Sequence, residues 1–404
     1  MPRLIAGLVA LYTIVTGPAF AQDTRAAALA AERAERARQL RAYEPNRIEQ
    51  GFLYIDEKHL LERLAAPPEG VYPRFGGLPS GNGLTFGPGY RLGRVDAGAW
   101  LDAVALWSHR NSKGVALRTG LAGLAGGQLT LEGGVAWHDL AQQDFWGLGG
   151  DTAPVARTTY RQHDTTVDLG VSGHPLPWLT VTPSGGQLAA HLGAGRDTGV
   201  PSASDRFDEA TAPGIDTAVR LGFVGLSVDA DFRDAPLNTR GGGRYRAAVT
   251  RYSDRRGGPY DFARVDAELL QVFPIFDKKR NFAVHVVASS AQPVSAGDAV
   301  PFYLMPWLGG SHSIRGLRNY RLRDRSALLV TGEYRWEAFA GLDMALFLDA
   351  GDVAPRWRDI VVGRMKTSAG IGFRFNTNRN VFLRLDTAWG REGARFYMKF
   401  GPVF

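Results

Sequence analysis

The chain has 404 residues, 45% of them hydrophobic and 11% aromatic, which excludes an intrinsically disordered composition. Its 50 glycines follow no collagen-like triplet, and the absence of cysteine excludes a disulfide scaffold, thiolate metal sites and a cysteine nucleophile. The formal charge of +7 points to acidic partners such as lipid phosphate, lipopolysaccharide or nucleic acid without choosing among them. With a mean hydropathy of −0.16 and no apolar run of about 18 residues beyond the first few positions, a bundle of spanning helices is excluded. A transmembrane β-barrel is not, because its alternating strands average to a polar-looking chain.

Residues 1–21 have the form of a secretory signal peptide. Arg3 supplies the positive charge, residues 4–15 a short apolar core, and Ala19-Phe20-Ala21 the small-residue site before Gln22. Loss of Arg3 with this leader leaves a net charge of about +6 on an exported chain.

Residues 22–65 are expected to be helical. The stretch 23–44 is rich in Ala, Arg and Glu, contains the i,i+4 pair Glu32/Arg36, and ends at Pro45. It has almost no apolar stripe, so it is not an ordinary core helix. Two readings stay open, a periplasmic helix in water and a plug in a polar barrel lumen. A short amphipathic stretch at 57–64 follows, and residues 66–83 have the Pro and Gly content of a linker.

From residue 84 the pattern has period two. In 395–404 one face carries Phe396, Met398, Phe400, Pro402 and Phe404, and the other Arg395, Tyr397 and Lys399. In 365–375 Ile371, Phe373 and Phe375 oppose Ser368, Gly370, Gly372 and Arg374. In 381–389 Val381, Leu383, Leu385 and Trp389 oppose Phe382, Arg384, Asp386 and Ala388, and in 342–351 Leu342, Met344, Leu346 and Leu348 oppose Asp343, Phe347, Asp349 and Gly351. Leu226 and Val228 likewise oppose Ser227 and Asp229. One apolar and one fully charged face fits either a soluble sandwich or a membrane barrel. Export, the aromatic Phe404 in a final strand, and Tyr334, Trp336, Trp357 and Trp389 near strand ends favour the barrel. Over 84–404, roughly 9–11 residues per strand and connections of about 10 give about 16 strands. The expected fold is therefore all-β, a transmembrane antiparallel barrel preceded by a short helix.

The segment 308–320, with Arg315-Gly316-Leu317 at its centre, resembles the Arg-Gly-aromatic loop of the BamA/TamA-like outer-membrane barrel superfamily (bacterial surface antigen type), with Leu317 where the family usually has an aromatic residue. Gly332-Glu333-Tyr334-Arg335-Trp336 is similar to the strand after that loop, and Phe347-Leu348-Asp349-Ala350-Gly351 to the family's Phe-x-Asp-x-Gly strand. Arg233-Asp234-Ala235-Pro236-Leu237 with 241–244 resembles its Arg-Asp-x-Pro hairpin, and 144–149 a weaker upstream signature. By alternation Glu333 and Asp349 face the lumen, where an inward-folded loop would bring the Arg315 guanidinium to both, and the resemblance implies the same docking. Arg318, Arg321, Arg323 and Arg325 read either as a solvated loop or as contacts to lipid phosphate.

Relatives that assemble or secrete proteins carry POTRA modules of about 75 residues. The roughly 60 residues between leader and barrel hold none, so the chain resembles a short, POTRA-less branch. The resemblance implies insertion or translocation of proteins or lipids at the outer membrane of a Gram-negative bacterium, without catalysis, through a weakly closed seam that includes Phe396, Phe400, Pro402 and Phe404. Pro402 suits a weak seam because it lacks a ladder donor. The expected partners are outer-membrane lipids or lipopolysaccharide and nascent outer-membrane proteins, with no nucleic acid, no metal and no cofactor. The alternatives are a passive pore or structural barrel and, further off, an outer-membrane enzyme. The eight histidines form no H-E-x-x-H spacing, there is no Walker A or G-x-S-x-G pattern, and the nearness of Ser311, His312, Ser313 and Asp324 in sequence does not by itself make a catalytic geometry.

Overall fold

The computed structural model describes residues 69–401 except 95–96, 198, 277 and 378–379, together with Ala31, Glu32, Glu35 and Gln50. The described strands are β1 Gly70–Phe75, β2 Thr85–Arg94, β3 Ala97–Ser108, β4 Lys113–Gly123, β5 Leu129–Phe145, β6 Thr158–Leu176, β7 Leu179–Ala194, β8 Val219–Asp231 and β9 Gly242–Asp254. They continue as β10 Phe262–Ile275, β11 Arg280–Pro293, β12 Trp307–Leu308, β13 Leu322–Arg323, β14 Ser326–Phe339, β15 Leu342–Ala354, β16 Lys366–Asn376, β17 Val381–Gly390 and β18 Gly393–Phe400. All but β12 and β13 form one sheet of sixteen strands, the number expected from chain length, each antiparallel to the next in sequence. The small pair β12–β13 lies within the connection from β11 to β14.

Connections alternate between two ends of the sheet. Residues 177–178 and 340–341 are short turns at one end, and 146–157, 195–218, 294–325 and 355–365 are long loops at the other. This is the asymmetry of turns and loops found in membrane barrels.

The two faces of the strands decide which kind of sheet this is. Val167, Leu169, Val224, Leu226, Val265, Leu346, Leu348, Phe396 and Phe400 are all exposed, up to 65% for the two phenylalanines. On the opposite face Glu333, Asp349, Arg374, Arg384 and Asp386 are almost completely buried. A soluble sheet buries its apolar face and wets its charges, so this is the reverse arrangement, the one a lipid-facing barrel requires. The charged face curls around the loop 294–325, which bonds to Tyr160 of β6, Asp349 of β15, and Arg395 and Tyr397 of β18.

One part of the expected organisation changes. The barrel starts at Gly70, not at residue 84, because the stretch 66–83 read as a linker contains β1. Pro73 hid it: in register Pro73 stands opposite Pro88 of β2, and proline is tolerated in a strand at the sheet edge, where its missing donor breaks no ladder. The leader 1–21 and most of the segment 22–65 lie outside the described residues; Ala31, Glu32, Glu35 and Gln50 are helical. Among the described residues, no pairing joins β1 to β18.

Candidate functional site

The long loop turns inward because it is apolar where it leaves the sheet. Val300, Phe302, Tyr303 and Met305 are buried against Phe145 of β5, Tyr160 of β6, Leu221 of β8 and Phe262 of β10, on the inner side of the sheet. The Phe302 ring packs on Phe145 at 4.4 Å and edge-on to Tyr160 at 5.1 Å. The chain then runs through β12, crosses a tip and returns as β13, with Trp307 paired to Arg323 and Leu308 to Leu322. Leu308, Ile314, Leu317 and Leu322 form a second apolar cluster with Ala327, Leu329 and Val353 of the wall. Within the tip, Leu317 N donates to Ile314 O and Gly310 N to Leu317 O. A tip held in this way presents Arg315 to β14–β17.

Arg315 is 2% exposed. Its Nε and Nη2 donate to the two Asp349 carboxylate oxygens at 3.0 and 2.7 Å, and Nη1 donates to Glu333 Oε2 at 3.0 Å. The backbone N of Arg315 also donates to Asp349, at 3.0 Å. The guanidinium lies 3.3 Å from the Phe347 ring centroid, a cation–π stack. The fork shape of arginine permits the two-oxygen contact, which lysine cannot make.

Both acids are held by more than Arg315. Asp349 accepts the Thr331 hydroxyl at 3.1 Å and the Ser368 hydroxyl at 3.0 Å. Glu333 accepts Arg335 at 2.7 Å and Arg374 at 3.1 Å. Arg374 continues to Asp386 at 2.6 Å, and Arg384 lies 3.0 Å from Asp386 and donates to Ser311 O of the loop at 2.7 Å. Arg315, Arg335, Arg374 and Arg384 thus share one buried network with Glu333, Asp349 and Asp386. Arg374, Arg384 and Asp386 went unread as site residues, although alternation had put all three on the polar face.

Gly316 and Phe347 show why these positions tolerate little change. A Cβ on Gly316 would sit 2.6 Å from Ser368 Cβ and 2.9 Å from Gly390 Cα, so the loop backbone touches the wall backbone directly. The Phe347 ring covers Gly370, its partner across β15 and β16, where a Cβ would lie 2.2 Å from the ring. Gly351 lies beneath Leu308 and Ile314 of the loop. Leu317 is buried, and its carbonyl accepts the Tyr397 hydroxyl of β18 at 3.1 Å.

The upstream signature meets this loop. Gly149 N donates to Arg323 O at 2.8 Å, and Arg321 donates to Thr152 and lies 5.5 Å from the Trp146 ring. Of the four loop arginines read either as solvated or as lipid-phosphate contacts, Arg321 and Arg323 are neither, being buried and bonded inside the sheet. Arg321 also pairs with Glu392, and Arg323 lies among Phe145, Phe302 and Tyr320 with a bond to the Tyr160 hydroxyl at 3.1 Å. Both are buried, because β13 runs inside the sheet. Arg318 is exposed and Arg325 half-buried.

The Arg233 hairpin forms a separate site at the turn end. Arg233 binds Asp231 at 2.9 and 2.7 Å and donates to Pro236 O at 3.0 Å, while Asp234 accepts backbone N–H groups of Ala235, Arg240 and Gly241. The turn reaches β15–β17: Val381 N donates to Leu237 O, Asn238 to Thr377 O, and Arg240 pairs with Asp343 at 2.9 Å. Phe396 and Phe400 point outward from β18; Pro402 and Phe404 lie outside the described residues. Ser313 Oγ accepts Gly309 N, and Asp324 accepts Arg325 N, so both serve the loop backbone. Among the described residues no hydrogen bond joins either to His312.

A sheet that is greasy outside, ionic inside and wrapped around its own longest loop defines a transmembrane antiparallel β-barrel. Within that class, residues 204–404 match the Omp85 superfamily domain. No curated protein matches it. The crystal structure of BamA from Haemophilus ducreyi lacking POTRA domains 1–3 aligns with 83% of this chain and 69% of its own, at 13% identity and a TM-score of 0.58. CdiB from Escherichia coli aligns with 82% of this chain at 14% identity and a TM-score of 0.53, and the chain spans 63% of that protein, under two thirds of its length. At such identities the likeness is one of fold.

Proposed function

We propose that this chain is an outer-membrane barrel of a Gram-negative bacterium that inserts or translocates proteins or lipids into or across that membrane. In this reading it acts without catalysis, and the Arg315 loop docks on Glu333 and Asp349 to keep the lumen occupied. The observation that carries it is the buried Arg315–Asp349–Glu333 contact, which ties a mobile type of element, a loop, to a rigid wall. The match of residues 204–404 to the Omp85 superfamily domain and the likeness to BamA and CdiB support the same class of activity. The signal-like residues 1–21 and the outward apolar band support export to the outer membrane. A seam between β1 and β18, unpaired among the described residues, supports lateral passage of a lipid or a nascent strand.

The test is cross-linking in intact envelopes, followed by purification of the wild type and of Arg315→Ala. Enrichment of nascent outer-membrane proteins or of lipid on the wild type, altered in the variant, is the expected result. Recovery no greater than on a general porin would overturn the reading.

A further inference from the structure

The outward face of β5–β8 carries a feature that the loop does not use. Strand register stacks its side chains into rows. Gly133, Leu169, Gly185 and Val224 form one row, and Val135, Val167, Gln187 and Gly222 the next toward the loop end. Above them come Trp137, Thr165, Ala189 and Arg220, then Asp139, His163 and His191. Leu169, Val167 and Val224 are 56%, 48% and 64% exposed, so the lower rows belong to the apolar band. The change to Trp137 and Arg220 within one row marks the level of the membrane interface, where tryptophan and cationic side chains concentrate.

At this level the sheet has a notch of about 170 Å³, lined by Trp137, His163, Asp164, Thr165, Ala189, His191 and Arg256 among others, with Arg220 beside it as the register partner of Ala189. The small Ala189 side chain between Thr165 and Arg220 leaves the space. The His163 and His191 rings stack at 4.7 Å, almost parallel, along its upper edge. Arg256 is held by a bond from Nη1 to Ala218 O at 3.1 Å, and Arg255 lies over Gly222. Arg220, Arg255 and Arg256 are all exposed. The acids nearby are already engaged. Asp139 binds Arg161 at 2.7 and 2.6 Å and lies 3.7 Å from His163, while Asp164 faces inward and binds His138 at 2.9 Å.

We propose that this notch binds the phosphate of a membrane lipid, with Arg256, Arg220 and the two imidazoles around the headgroup and the acyl chains on the Val167 and Leu169 rows below. The proposal rests on the membrane placement given above. Guanidinium groups bind phosphate oxygens through charge-assisted hydrogen bonds, and a cation at the membrane surface favours anionic lipid. The lipid source, a glycerophospholipid or a phosphorylated glycolipid, is left to the arms of the test.

The experiment places the full chain in phosphatidylcholine nanodiscs, alone or doped with phosphatidylglycerol or diphosphorylated lipid A, and counts retained lipid by native mass spectrometry. Retention of one doped lipid over phosphatidylcholine is expected. Arg220→Gln and Arg256→Gln should each weaken it about five-fold and together about 30-fold, with Arg358→Gln, at an exposed loop arginine outside the notch, as a control that leaves it unchanged. Ala189→Trp, which fills the notch and removes no charge, should produce the same loss. Heat-shift gels confirm that each variant is folded. Equal retention by all variants, equal loss with Arg358→Gln, or displacement of the lipid by millimolar inorganic phosphate would overturn the site. Failure of the folded chain to enter the nanodisc would overturn the membrane placement with it, whereas entry without lipid preference would overturn the site alone.

Discussion

Arg315 reaches Asp349 three times, through its backbone N at 3.0 Å, Nε at 3.0 Å and Nη2 at 2.7 Å. One carboxylate on β15 therefore fixes both the path of the loop tip and the direction of its side chain. The burial of both partners gives this contact its energetic weight, since removing one member leaves the other charged, buried and under-paired.

Arg315→Ala is accordingly expected to cost about 3–5 kcal/mol in the stability of the docked loop. Arg315→Lys retains the charge without the fork and should recover only part of the loss. The measurement is the temperature at which the folded band disappears on a gel, run for wild type and both variants.

The three charged residues should behave as one unit. Double variants of Arg315 with Asp349 or Glu333 are expected to deviate from the sum of the single ones by about 0.5–3 kcal/mol. Arg315→Ala combined with Arg118→Ala, whose partner Asp168 lies on β6, should be additive within about 0.5 kcal/mol. Strict additivity of Arg315 with both acids would mean that they do not meet in the folded protein.

Gly316→Ala tests the backbone contact rather than the charge. The added methyl group meets Ser368 and Gly390, so overpacking of about 1–3 kcal/mol is expected with every ion pair intact. The same heat-shift gel reads it, and Gly363→Ala, at a loop position open to solvent, serves as the control expected to show no change.

The loop is held at its stem as well as at its tip, which makes its release local. Limited trypsin digestion of Arg315→Ala should cut sooner after the exposed Arg318, while Arg321 and Arg323 stay protected by Trp146, Thr152, Phe145 and Tyr160. Simultaneous cutting at all three would show that the stem does not hold independently.

Salt separates buried from surface charge. Raising the ionic strength from about 0.1 to 1 M shortens the screening length from about 10 to 3 Å. The loss caused by Arg315→Ala should persist at high salt, because its partners are out of contact with water, whereas any contribution of the exposed Arg118–Asp168 pair should fade. Thermal denaturation of both variants at the two salt concentrations checks this.

The strand pattern was legible because each strand lies between two unlike media, and a period of two records that difference at every residue. Hence the outward Phe396 and Phe400 and the buried faces of Glu333 and Asp349 could be read from alternation, while the number of strands followed from chain length alone. β1 was not legible: six residues with Pro73 at the edge carry too little alternation to stand out from a Pro and Gly linker. The burial of Arg321 and Arg323 was hidden for another reason. A run of arginines normally means solvent, and only the aromatic residues of β5, β6 and the loop itself, far apart in sequence, make an interior place for a guanidinium. The apolar run at Val300, Phe302, Tyr303 and Met305 was the local sign that this loop goes inward.

Single-channel conductance in planar bilayers tests the occupied lumen most directly. The intact protein should show no large steady pore, and Arg315→Ala should show more frequent or larger openings. A large steady conductance in the wild type, unchanged by Arg315→Ala, would contradict a barrel filled by its own docked loop.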